Sequence, residues 1–110
     1  MFDIAEQSAF NHGHFKIYSF EDDHIILRSR MTNQMWQIKK FNDKNYPPMV
    51  LYHSHNITEP YHVHCVYDND NALLCYIEIT NHDKLITQRM KLRKKLTRLT
   101  NQQLVEAVMA

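Results

Sequence analysis

Three observations predict an α+β domain: an antiparallel five- or six-stranded meander sheet packed by a basic amphipathic C-terminal helix, with a short final helix. Apolar and polar residues alternate with period two in short runs over about 14–80. Asn/Asp/Pro clusters separate these runs, as turns separate half-buried antiparallel strands. Over about 82–109 the apolar spacing lengthens to that of a helix, and the charge turns positive.

The elements follow in order. Residues up to Phe10 suit a short helix. Phe15 to Phe20 is the first strand, Glu21-Asp22-Asp23 turns the chain, His24 to Arg30 is the second, and Met35 to Phe41 the third. The loop Asn42 to Pro48 closes on a Pro-Pro pair that cannot donate to a ladder. Met49 to His53 is the fourth strand and Tyr61 to Tyr67 the fifth. Asp68-Asn69-Asp70-Asn71 then reads as a hairpin turn into a sixth strand, Ala72 to Thr80. Leu85, Leu92, Leu96 and Leu99, spaced by seven, four and three, mark one stripe of a helix over about 83–98. Thr100-x-x-Gln103 has the capping-box pattern and would open the final helix.

A chain of 110 residues with 44% hydrophobic and 23% charged residues is expected to fold as one domain around one core. No apolar run reaches the roughly 20 residues of a membrane span, and the start lacks the basic and apolar regions of a signal peptide, so a cytoplasmic protein is expected. Cys65 and Cys75 read as two buried thiols rather than a disulfide framework. With Gly13 the single glycine, turns that need positive φ must draw on Asn and Asp.

Net charge is only +1 but unevenly spread. Residues 1–80 hold six Lys/Arg against ten Asp/Glu, and residues 81–110 hold seven against two. Lys91, Lys94, Lys95 and Arg98 share a helix face roughly opposite the leucines, so the leucines are expected to dock on the sheet and the cations to face outward. An outward row of cations suits a nucleic acid, through release of counterions, or an acidic protein surface. The apolar strip Leu104, Val105, Val108 and Met109 adds an expected homodimer contact through the C-terminal helices.

Eight histidines include the pairs His12/His14, His53/His55 and His62/His64. In a strand, residues two apart share a face, so His53, His55, His62 and His64 on neighbouring strands would converge on a zinc, nickel or copper ion if His53 lies opposite His64. A four-residue turn at Asp68 to Asn71 would also set Cys75 opposite His64 as a further ligand. Tyr52-His53-Ser54-His55 is similar to the His-x-His of JAMM-type zinc isopeptidases, but Val63 and Val66 stand where that family needs serine and aspartate. His62-Val63-His64-Cys65-Val66 is similar to the start of a histidine-triad nucleotide hydrolase motif, with Val66 in place of its third histidine. Neither short match carries a function across.

No Gly-rich turn presents a nucleophile or cradles a phosphate, and no catalysis is expected. The favoured function is a non-catalytic accessory or regulatory module that binds nucleic acid or an acidic protein through Lys91, Lys94, Lys95 and Arg98. A histidine-lined metal site, structural or hydrolytic, with zinc as its ion, is the alternative. A small inhibitor acting through the acidic sheet half, Glu21-Asp22-Asp23 and Asp68-Asn69-Asp70, is the third reading.

Overall fold

A computed structural model describes residues 1–109; the side chains of 99–101 and 104–109 lie outside the described set. A short helix α1 (Ile4–Phe10) leads into β1 (Phe15–Phe20), β2 (His24–Ser29), β3 (Met35–Lys40), β4 (Met49–Ser54) and β5 (His62–Tyr67), and the chain ends in α2 (Leu73–Met109). The strands pair antiparallel in chain order, β1-β2-β3-β4-β5. The α+β class and the meander agree with the expectation from the sequence.

Alternation produces the sheet as anticipated. Ile25, Leu27, Trp36, Ile38, Met49 and Leu51 face one side and are buried under Ala72, Cys75 and Ile79 of α2 and the turn before it. Phe2, Phe10 and Phe15 close the β1 end of this core. On the other face Val63 and Val66 of the edge strand stay exposed. Gly13, at φ 86, makes the turn from α1 into β1, and Asn33, at φ 61, supplies the other left-handed turn position, the asparagine substitution that a glycine-poor chain requires.

Helix α1 is held by a capping box. The Glu6 amide donates to the Asp3 carboxylate and the Asp3 amide to the Glu6 carboxylate, both at 2.8 Å. Buried Glu6 also pairs with Lys40 Nζ at 2.9 Å and accepts the Ala72 amide at 2.6 Å. One carboxylate thus neutralises a buried cation and caps the start of α2 from another helix.

Two expectations fail here. Residues 72–80 form no sixth strand: they are the turn into α2 and its first turns, and Asp68–Asn71 is a strand-to-helix connection rather than a hairpin. The buried positions Ala72, Cys75, Ile79 and Asp83 recur at helical spacing, and the Asn71 side chain accepts the Leu73 amide at 3.1 Å, as an N-terminal cap does. The Cys/Tyr/Ile/Thr content of the segment has a strand preference that packing overrides. Nor is there a separate final helix, because the backbone of α2 runs unbroken to Met109 despite the Thr100-x-x-Gln103 pattern. Among the described residues no helix is long and apolar enough to cross a membrane.

Candidate metal centre

The fourth and fifth strands bring histidines together, but through a register the sequence did not suggest. His53 lies opposite His62, not His64. The ladder then shifts between Leu51 and Tyr52: Tyr52 faces Val63 while Leu51 faces Cys65, so His64 is the extra residue of a β-bulge. A bulge re-aims its side chain, and here it brings His64 under α2 beside His53. Ligating nitrogens of His53, His62 and His64, one from each ring, all lie within 4.8 Å of one another. Ring centroids are 5.1 Å apart for His53 and His62 and 5.6 Å for His53 and His64.

Each ring has a stated environment. His53 is buried and stacked on Trp36, with centroids 4.1 Å apart, and its Nε2 is 2.6 Å from the Gln34 side-chain oxygen. His64 Nε2 is 2.9 Å from a Glu78 carboxylate oxygen on α2. Because an amide or carboxylate oxygen only accepts, both rings donate from Nε2, and in a neutral ring that leaves the lone pair on Nδ1. Outer partners that fix a tautomer in this way are the usual support of a ligating histidine. His62, on the edge strand, is exposed.

Two further histidines flank the three. His55, exposed in the turn after β4, lies 5.2 Å from His53 and 6.3 Å from His62, outside the converging set. His82 of α2 lies 5.0 Å from His53 and 5.5 Å from His64. The ring centroids of His82 and Trp36 are 5.1 Å apart, and among the described residues His82 Nδ1 and Trp36 Nε1 are buried polar atoms without a hydrogen-bond partner. Burial drives the His53 pKa down to about 3, and the neighbouring histidines, His82 first, push the same way. Burial and then His64 lower that of His82. Both are therefore neutral near pH 7, the form that binds a metal.

The residues fit a borderline divalent ion. Zn–N bonds of about 2.0–2.1 Å set tetrahedral ligands roughly 3.3 Å apart, so the three rings must close by no more than about 1.5 Å. Exposed His62 has room to rotate; His53, pinned between Trp36 and Gln34, and His64, held by Glu78, are the fixed points. Three imidazole nitrogens suit zinc, nickel or copper better than magnesium or calcium, which take oxygen ligands.

Other expected site residues lie elsewhere. Cys75 is not opposite His64: it is on α2, buried, with Sγ 3.8 Å from the sulfur of Met49, and burial pushes its thiol up to about 12. Such a thiol is a core residue. His14 Nε2 meets the buried Asp83 carboxylate at 2.9 Å, and Thr32 Oγ1 donates to the same carboxylate at 3.0 Å, which makes His14 a structural peg. Lys91, Lys94, Lys95 and Arg98 are exposed as expected. The leucines do not dock on the sheet, since Leu85, Leu92 and Leu96 are 45%, 57% and 54% exposed on a stretch of α2 that has left it. Leu104, Val105, Val108 and Met109 lie outside the described side chains.

His82 is the residue that sequence reasoning missed. Its signal was helical, three and four residues after the buried Ile79 and the partly exposed Glu78, and the reading of 72–80 as a strand concealed it. Comparison with family models, with curated proteins and with solved structures finds no match.

Proposed function

We propose that this chain is a transition-metal-binding module whose ligands are His53, His62 and His64, with zinc, nickel or copper(II) as the ion. The carrying observation is the convergence of three ring nitrogens within 4.8 Å, from one residue of β4 and two of β5. The hydrogen bonds that His53 and His64 donate to Gln34 and Glu78 support it, because they orient two of the three rings. The role is binding and stabilisation: an ion there ties edge strand β5 to β4, and His82 beside it is available as a fourth nitrogen from α2.

Calorimetric titration of the metal-free full chain with zinc sulfate tests this. One equivalent should bind, and the melting temperature should rise with free zinc as mass action requires. His62→Ala and His64→Ala should weaken binding by at least about tenfold, while exposed His12→Ala leaves it unchanged. These substitutions avoid His53, which is buried against Trp36 in the core. Absent binding, or affinity equal in wild type, His62→Ala and His64→Ala, contradicts the proposal.

A further inference from the structure

From Lys84 to Arg98 the chain holds seven Lys/Arg and no carboxylate. Every one of these cations is exposed, and among the described residues none has an ion-pair partner. The helical period places Leu85, Leu92 and Leu96 on one narrow stripe, edged by Arg89 and Arg93 along one side and by Lys84 and Lys95 along the other. This stretch lies beyond the sheet: the molecule is 69 Å long but only 28 × 24 Å across.

We infer that the α2 segment from Lys84 to Arg98 docks an acidic amphipathic helix of another protein, its leucines meeting that helix's apolar seam and its edge cations meeting flanking carboxylates. The width of the stripe selects a helix, because a seam of single leucines matches one facing helix, whereas a lipid surface calls for a broad apolar face. The charge selects the sign of the partner. Residues flanking a helix seam set which partner is accepted, and a second copy of this chain would bring cations against cations. Duplex nucleic acid would engage the cations yet leave the leucines in water, so it accounts for one feature of the segment where an acidic helix accounts for both. The leucine exposure separates the two, since leucines docked on the sheet would have left only the cations to explain.

The probe is a labelled synthetic peptide of about four heptads with Leu at the seam positions and Glu at the flanks. Its fluorescence anisotropy is followed against the full chain, with a matched peptide bearing Lys at the flanks and a random-sequence DNA duplex as competitors for the same surface. The acidic peptide should bind one to one, weaken as salt is added, and lose at least about tenfold in affinity in both Leu92→Asp and the double variant Arg93→Glu/Lys95→Glu. The Lys peptide should not bind. These positions are exposed and distant from the core, and circular dichroism verifies that the variants fold. The inference is overturned if the acidic peptide fails to bind, if it binds the charge-reversed variant equally well, if duplex DNA binds more tightly than the peptide, or if the chain self-associates through Leu92.

Discussion

Helix α2 is one continuous element in two environments. From Leu73 to Asp83 it lies on the sheet, with Cys75, Ile79 and Asp83 fully buried and Asp83 tied to His14 and Thr32. From Lys84 to Arg98 it has left the sheet, with its leucines exposed. Local preference runs opposite to contact. The docked half, with Cys, Tyr, Ile, Thr, Asn, His and Asp at eight of its eleven positions, consists mostly of weaker helix formers, whereas the projecting half is Lys, Leu, Arg, Met or Gln except at Ile86, Thr87 and Thr97 and favours a helix without help. Packing holds the first half helical against its preference. The second half draws on propensity and on continuity with a helix already nucleated.

Substitutions in the two halves should therefore differ sharply when read by urea unfolding. Ile79→Ala should cost the most, about 2–5 kcal/mol, because it opens a cavity in the core. Asp83→Ala comes next at about 1–3 kcal/mol, since it strips partners from His14 and Thr32 at the point where α2 leaves the sheet. Acid should follow in the metal-free protein. His53 has a folded pKa of about 3, against the ordinary histidine value of 6.5, so between these limits the unfolded chain binds a proton that the folded chain does not. The neutral ring's contribution is complete above pH 6.5 and is lost progressively as pH falls toward 3. At pH 5 the loss should be on the order of 1–2 kcal/mol, and His53→Gln should flatten it. Leu92→Ala should change stability least, by less than about 0.5 kcal/mol. A cost for Leu92→Ala comparable with that for Ile79→Ala would erase the distinction between the halves.

The same contrast explains what the sequence could disclose. Period-two alternation located all five strands, because an antiparallel sheet with one buried face writes itself as alternation. The helix start was misplaced because Leu73 to Thr80 combines strand-like residue types with a burial pattern that becomes helical only once the sheet lies beneath it. Its leucines were expected on the sheet because an apolar stripe usually faces a core. Yet strands of six residues reach about 20 Å, and a helix of 37 residues about 55 Å, so most of α2 has nothing to lie on. For the site, two histidine pairs on adjacent strands were enough to nominate His53, His62 and His64. The bulge at His64 was not legible, since nothing in His62-Val63-His64-Cys65 marks an extra residue, and the expected register set His53 against His64 where it pairs with His62. His55 was included because i and i+2 share a face in a strand, but β4 ends at Ser54 and the turn carries His55 away from the converging nitrogens.

The metal assignment rests on which ring nitrogens are free. Long-range proton–nitrogen NMR of the imidazoles, recorded on the metal-free chain and again with one equivalent of zinc, reads each nitrogen separately. His53 and His64 should be Nε2–H tautomers before zinc, and a ring nitrogen of each of His53, His62 and His64 should shift on addition while His14 and His24 stay unchanged. Zinc-induced shifts confined to His12, His14 and His24, or no shift at His53 and His64, would contradict it.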